Sequence, residues 1–302
     1  MDRKLFFTAF TFLALVSCEK FLDGTINYVE FPDHESQISA NLIVSDVANE
    51  IKAYVSKTVS VTDSLGPQVI ENAVISVKDA AGNTLYTLSN EDFFGEFYSL
   101  PLSEGLNIPE GDIHLEVDVP EYDIATATTR MPSGAIFELE FLEAADTSNM
   151  FGQEYVRDRY EFDFENNVNE DQSYLVFIEA KYQDKDTGEI SDWESLWAES
   201  TLDSRMQYLY GGILLTDESV RSDPNGLNDI YLFTENKEEY ITIVERRIRI
   251  ESLSDELKKF YVSLQEYSDN QFSLFTEPDL IYSNVNTGFG CFGMYRYELI
   301  EL

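Results

Sequence analysis

Residues 113–119 read Ile-His-Leu-Glu-Val-Asp-Val, and this strict alternation of apolar and polar side chains decides the fold class. Successive side chains of a strand point to opposite faces, so a period of two predicts a strand with one buried face. The same alternation recurs in both halves of the chain, around Ile51, Ile75, Leu139 and Tyr160. The chain is therefore predicted to be mainly β.

Turn signals divide the first half of the chain into short strands. They are Leu65-Gly66-Pro67, the segment Asp79-Ala80-Ala81-Gly82-Asn83, and Phe94-Gly95-Glu96. Glycine, proline and Asx residues at this spacing favour tight connections between antiparallel neighbours. Residues 38–132 are accordingly predicted to form an immunoglobulin-like β-sandwich.

A second unit is predicted for residues 133–302, because Pro132-Ser133-Gly134 interrupts the strand pattern. It is expected to be a mostly antiparallel β domain with one or two short helices. Ser252 or Ser254 is the predicted N-cap of one helix, followed by Asp255 and Glu256 in the first turn. Its apolar face would carry Leu253, Leu257, Phe260, Tyr261, Leu264 and Tyr267.

The N-terminus has the layout of a secretory signal. Arg3 and Lys4 precede an uncharged run from Leu5 to Val16, which is too short for a bilayer-spanning helix of roughly 20 residues. Residues 1–17 are therefore expected to be a signal peptide, and residues 18–37, which lack a clear period, a tether. An ordinary signal peptide with an incidental cysteine is the alternative.

Leu15-Val16-Ser17-Cys18 resembles the lipobox of bacterial lipoproteins. The resemblance implies that Cys18 is the lipid attachment site and the first residue of the mature chain. Acyl chains on Cys18 would hold the protein on a membrane without a spanning segment. Glu19 stands where an aspartate would imply inner-membrane retention, so an outer-membrane location is expected, on its periplasmic or cell-surface face.

Composition argues against a nucleic-acid partner, because 57 acidic and 20 basic residues give a formal net charge of −37. With 43% hydrophobic residues, the chain can bury substantial cores. Cys18 and Cys291 are the two cysteines of the sequence. If lipid occupies the first, no intramolecular disulfide is available, and Cys291 is expected to be a buried small apolar residue.

Few residues suggest catalysis, and we expect neither an enzyme nor a bound cofactor or metal. The two histidines, His34 and His114, lie in the tether and in an alternating strand. Gly288-Phe289-Gly290-Cys291-Phe292-Gly293 matches a dinucleotide fingerprint, but Tyr295, Tyr297 and Leu299 alternate behind it like a strand rather than a helix. Tight bending and close backbone packing are the expected roles of these glycines.

Two acidic segments and two tryptophans leave alternatives open. Residues 184–189 and 223–229 carry oxygen ligands spaced as in calcium loops, but their composition favours a hairpin turn and a long turn. Trp193 and Trp197 are four residues apart and could form an aromatic platform for sugar. Packing in a core or between domains is the favoured interpretation for both tryptophans.

Several segments together resemble one family. They are the run from Ile70 to Asp79 leading to Gly82, the motif Gly95-Glu96-Phe97-Tyr98, and the segment from Glu277 to Gly293 containing Tyr282-Ser283-Asn284-Val285-Asn286. They resemble the domain of unknown function family 4249, outer-membrane lipoproteins of the Bacteroidetes, over nearly the whole mature chain. The N-terminal part is also similar to carboxypeptidase-regulatory and transthyretin-like sandwiches.

The resemblance implies a function in the envelope, since such lipoproteins are often encoded beside TonB-dependent outer-membrane receptors. A binding or accessory component in capture or uptake is the first expectation, with the ligand unknown. A surface hydrolase for glycans or peptides, using carboxylates or a bound cation, is one alternative. A structural or adhesive envelope protein is the other.

Overall fold

The computed structural model describes residues 34–60, 66–150, 153–164, 172–200, 207–216, 229–235, 241–270 and 280–302. The chain divides into two units at Glu35 and Ser36, and the elements below belong to the unit Ser36–Leu302. Its described part is mainly β, as the alternation predicts. Strands are numbered in chain order.

One twelve-stranded sheet runs through the unit. From one edge to the other its strands are β15 (Gln207–Leu209), β16 (Gly212–Thr216), β12 (Ser173–Asp184), β18 (Ile241–Leu253), β20 (Phe292–Glu301), β1 (Ile38–Ser45), β2 (Glu50–Lys57), β7 (Phe97–Pro101) and β6 (Phe93–Phe94). Three short strands pair beside this path: β13 (Glu194–Ser195) with β12, β19 (Gly288–Phe289) with β1, and β3 (Gln68–Val69) with β2.

Two four-stranded sheets complete the architecture. The first has the order β5 (Thr84–Leu88), β4 (Val74–Lys78), β8 (Asp112–Asp118) and β9 (Ala125–Arg130). The second has the order β10 (Phe137–Met150), β11 (Gln153–Phe164), β17 (Asp229–Glu235) and β14 (Ala198–Ser200). Each shares a hydrophobic core with a different half of the large sheet. The result is two sandwiches built on one common sheet.

The first core joins the inward side chains of β1 and β2 to those of β4, β8 and β9. Alternation is strict here, since Ile113, Leu115 and Val117 of β8 are buried between more exposed neighbours. Tyr98 of β7 is fully buried, and its hydroxyl donates to the Ile70 carbonyl at 2.7 Å and accepts from the Ala73 N–H at 2.9 Å. The predicted N-terminal β-sandwich is confirmed.

The second half of the large sheet is covered on both faces. Tyr174, Val176 and Ile178 of β12 face the second small sheet, whereas Leu175 and Phe177 face the opposite side. That side packs against helix α1 (Asp255–Asn270), which buries Leu257. Burial on both faces explains why β12 is apolar at consecutive positions rather than alternating.

The C-terminal strand links the two halves. Residues 42–45 of β1 pair in parallel with residues 292–295 of β20, which also pairs antiparallel with β18. The large sheet therefore contains strands from both sides of the predicted boundary between residues 132 and 133. That boundary itself stays a prediction.

Local turn predictions are confirmed where the structure describes them. The Asp79 carboxylate accepts from the N–H groups of Ala81 and Asn83, and Gly82 has φ +85°. Gly95 connects β6 to β7 with φ +66°. Residues 184–189 form the predicted hairpin turn, in which the Asp184 carboxylate accepts from the backbone of Asp186 and Thr187. Most of the segment 223–229 lies outside the described residues.

Candidate functional site

A cavity of about 430 Å³ lies beside the start of helix α1, and we call it the helix-start cavity. Its walls come from the end of β9 and the following residues 131–133, from the start of β12, and from the junction of β18 with α1. The volume is within the range of roughly 300–1,000 Å³ that is typical of small-ligand sites. Rigid strands supply most of the wall.

Ser254 fixes the position of the helix start. Its hydroxyl caps the first turn by accepting from the Leu257 N–H at 3.4 Å, which confirms one of the two predicted N-caps. The same oxygen accepts from the Met294 N–H at 3.2 Å, and the Ser254 N–H donates to the Met294 carbonyl at 2.9 Å. The helix start is thereby joined to β20, so this wall of the cavity is held by the large sheet.

Two charged contacts hold the opposite wall. Across the β8–β9 pair, the Arg130 guanidinium donates to the Asp112 carboxylate at 2.6 Å. Thr129 is buried, and its hydroxyl donates to the Glu256 carboxylate at 3.0 Å, which ties β9 to the first turn of α1. Both carboxylates thus have a protein partner in the described structure.

Ser173 and Ser252 are the unusual members of the wall. Ser173 is 3% exposed and Ser252 is 2% exposed, and neither hydroxyl has a hydrogen-bond partner among the described residues. A buried polar group without a partner costs about 1–3 kcal/mol, so a folded protein rarely keeps one without a compensating role. Both residues contribute to the wall of the helix-start cavity, but their hydroxyl oxygens are buried within the wall rather than open to the cavity.

A second polar cluster, the arginine–glutamate network, lies on the helix-covered side of the β12–β18 pair. Glu179 accepts from Arg247 at 2.6 Å and from Arg249 at 2.9 Å, and Arg249 also pairs with Glu251. The two guanidinium groups lie over aromatic rings, Arg247 4.0 Å from Trp193 and Arg249 3.6 Å from Phe177.

Charges in this network balance, with two cations and two anions in contact. Burial raises the pKa of Glu251 above its ordinary value, although the neighbouring Arg249 opposes the shift. Charges that are mutually paired and only 19% exposed or less on their side chains offer little to a ligand. The network is a structural element of the β12–β18 pair rather than a binding site.

The two tryptophans have separate environments and do not form a joint platform. Trp193 is half-buried beneath Arg247 and Lys181. Trp197 is 68% exposed and stacks on Tyr208, with ring centroids 4.4 Å apart and 14° between the planes. Core packing is therefore wrong for Trp197, which lies in the short segment between β13 and β14, and packing between domains stays a prediction.

The glycine-rich segment 288–293 is structural. A Cβ atom at Gly290, where φ is +117°, would lie 2.0 Å from the Ala40 carbonyl oxygen. One at Gly288 would lie 2.4 Å from the Ile38 carbonyl oxygen. Close approach of two backbones therefore requires glycine at both positions, as the strand interpretation predicts. Cys291 between them is fully buried, as predicted, and burial raises the pKa of its thiol to about 12.

The remaining predicted site residues fall elsewhere. Cys18 lies outside the described residues, so lipid attachment stays a prediction. His114 is a half-exposed strand residue of β8, and its Nδ1 lies 2.9 Å from the Thr128 hydroxyl. Within the described ranges, no group of three or more His, Cys, Asp or Glu side chains could hold a metal ion. Sequence reasoning missed Ser173 and Ser252, which have no local motif.

Comparison with known proteins does not identify a family. No family model matches the chain, and no curated protein has a similar sequence. Resemblance to family 4249 therefore stays a prediction that rests on the quoted segments. None of the helices that the structure describes has the length and apolar character needed to cross a membrane.

Proposed function

We propose that this protein is a lipid-anchored binding protein of the bacterial outer membrane, which assists a TonB-dependent receptor in capture or uptake. The helix-start cavity is the observation that carries the binding role. Its polar walls stand on strands and on a capped helix, so they are held in place before a ligand arrives. Such preorganisation favours specific binding.

Two of the three carboxylates that line the cavity have protein partners, which favours binding over hydrolysis. Asp112 is engaged by Arg130, and Glu256 accepts from the buried Thr129. A glycoside hydrolase needs two carboxyl groups that face each other across the scissile bond, one of them as a proton donor. Carboxylates that hold the wall together instead orient hydrogen-bonding groups for a ligand.

Anchoring is supported by Leu15-Val16-Ser17-Cys18. Each buried methylene of an acyl chain contributes about 0.8 kcal/mol, so two or more chains suffice for stable membrane attachment. The test is fractionation of cells that produce the Cys18→Ala protein, with Cys291→Ala as the matched control. Release of the first and retention of the second supports the proposal, whereas membrane retention of both refutes the lipid anchor.

The accessory role has its own test. Native protein is crosslinked on intact outer membranes, captured, and the attached proteins are identified by mass spectrometry. Recovery of a TonB-dependent receptor supports the proposal. Recovery of this protein alone, after efficient crosslinking of a known receptor complex in the same membranes, refutes the accessory role.

A further inference from the structure

We infer that strand β10 binds an extended, basic segment of a partner protein, which adds to its outer edge as a further strand. Strand β10 is the terminal strand of the second small sheet, and β11 is its strand neighbour in the described structure. The outer edge of a terminal strand presents backbone N–H and C=O groups that can pair with a strand of another chain. This surface lies outside the helix-start cavity, so the inference goes beyond the proposed function.

The regular part of this edge is the first half of β10. Residues 137–142 pair in register with β11, and an irregularity follows between Leu142 and Asp146, where Ala144 has φ +50°. A bulge twists a strand and interrupts its ladder, so this one bounds the regular edge. At about 3.4 Å per residue, residues 137–142 offer an edge of about 20 Å, which is the length of a typical strand.

Apolar surface is open beside this edge. An opening of about 530 Å³ lies between the start of β10 and residues 298–300 of β20. Ile136, which is 62% exposed, and Leu299, which is 40% exposed, both line it. The described pairing of β1 with β20 ends at Tyr295, so β1 does not cover this part of β20. Alternate side chains of an added strand would point into the opening and bury this apolar surface.

Charge on the outward face of β10 favours a basic partner. Glu138 and Glu140 are exposed there, because the residues that alternate with them pack against the second core. Glu138 lies directly opposite Asp163, and Glu140 lies directly opposite Glu161. Of these four carboxylates, one is ion-paired in the described structure, Glu161 with Arg159 at 2.7 Å. Like charges opposite each other are destabilising, and lysine or arginine side chains on a strand beside β10 would relieve this repulsion.

A second copy of this chain is not the occupant that charge favours. Pairing of two β10 edges would bring Glu138 and Glu140 of both copies close together, and the formal net charge of −37 repels the copies as a whole. Acidic side chains on an edge therefore oppose self-association, whereas they attract a basic strand.

The test uses synthetic peptides of matched length. Full-length protein in an uncharged detergent is titrated, by fluorescence anisotropy, with a peptide of about eight residues in which lysine alternates with valine. One control peptide has glutamate in place of lysine, and the other has N-methyl groups that remove the backbone donors. The lysine peptide should bind at least about tenfold more tightly than either control. Equal binding of either control peptide, or no binding of the lysine peptide, overturns the inference.

Variants separate binding at β10 from attraction to the net charge. The double variant Glu138→Lys with Glu140→Lys turns two like-charge pairs into opposite-charge pairs, so the sheet itself is not weakened. The control is Glu104→Lys with Glu110→Lys, which changes two exposed glutamates between β7 and β8 and alters the net charge equally. The first variant should weaken the lysine peptide at least about fivefold more than the control does. Equal weakening by both overturns the inference.

Hydrogen–deuterium exchange locates the bound peptide. The lysine peptide should slow amide exchange within residues 137–142 by at least about tenfold, because newly paired N–H groups are protected from water. Binding without protection of these amides overturns the inference. Protection that appears when the protein concentration is raised without peptide also overturns it, because the occupant would then be a second copy. These measurements involve neither the lipid nor the receptor, so their failure leaves the proposed function untouched.

Discussion

Replacing Gly290 with alanine is expected to destabilise the fold severely. Gly290 lies between β19 and β20 with φ +117°, and its backbone crosses β1 so closely that a Cβ atom would be 2.0 Å from the Ala40 carbonyl oxygen. Ordinary contact requires at least about 3.4 Å, so the segment would have to move away from β1 by more than an ångström.

The magnitude follows from three contributions. An alanine at this φ costs about 1–3 kcal/mol, and displacement of packed backbone costs about 1–3 kcal/mol more. Movement also strains two neighbouring hydrogen bonds, from the Leu42 N–H to the Cys291 carbonyl at 2.9 Å and from the Cys291 N–H to the Asn41 side chain at 3.0 Å. A loss of at least about 3 kcal/mol is expected, a large part of the 5–15 kcal/mol typical of a folded domain.

Gly82→Ala is the matched control. Gly82 has φ +85°, but a Cβ atom there would meet nothing within 4 Å, so it carries the backbone cost alone, about 1–2 kcal/mol. Urea unfolding followed by circular dichroism gives both changes in the free energy of unfolding. If Gly290→Ala costs no more than Gly82→Ala, the reasoning from close backbone approach is refuted, and a ligand role for the glycine motif would be open again.

Three further predictions concern buried groups. Tyr98→Phe should lower the free energy of unfolding by about 2–4 kcal/mol, because it leaves the buried Ile70 carbonyl and Ala73 N–H without their partner. The control is Tyr86→Phe, which removes a similar pair of hydrogen bonds to Asn107 at an exposed site and should cost less than about 1 kcal/mol. If urea titrations gave the two variants equal losses in the free energy of unfolding, the burial argument would be contradicted. The raised pKa of Glu251 means that the folded protein binds a proton more readily than the unfolded chain. The free energy of unfolding of the wild type, relative to that of Glu251→Gln, should therefore rise as the pH falls from 7 through the folded-state pKa towards the unfolded value of 4.5, and should rise no further below it. A difference that shrinks over that window would show that the shift has the opposite sign. Cys291 should resist iodoacetamide at pH 8, because a thiol pKa near 12 leaves little reactive thiolate. Its labelling rate should be at least about 1,000-fold lower in native protein than in urea, and equal rates would contradict its burial.

Sequence patterns were sufficient wherever one face of an element is buried and the other is not. Strands β2 and β8 alternate because the first core accepts every second side chain, and helix α1 begins at Ser254 because a serine oxygen satisfies a free N–H. The sequence of β12 could be recognised as a strand. Its neighbours in the sheet could not be predicted, because a strand that is apolar and buried on both faces has no alternation that indicates which face packs against which element.

The cavity could not have been found in the same way. Its wall brings Asp112, Ser173 and Ser252 together from strands of different sheets, and serine in a strand has no distinguishing local pattern. Parallel pairing of β1 with β20 is equally hidden, because it joins residues 250 positions apart, such as Asn41 and Cys291. The acidic first turn of α1 was visible in the sequence, but its effect on a ligand requires the cavity beside it.

The shared sheet also determines how the helix-start cavity is held. Phe292 and Met294 of β20 fill the first core, and the backbone of Met294 holds the capping Ser254 of α1. Burying two such side chains contributes about 1.5–3 kcal/mol each, so residues 38–132 on their own would lose a large part of their stability. The same strand therefore completes the N-terminal sandwich and positions one wall of the helix-start cavity.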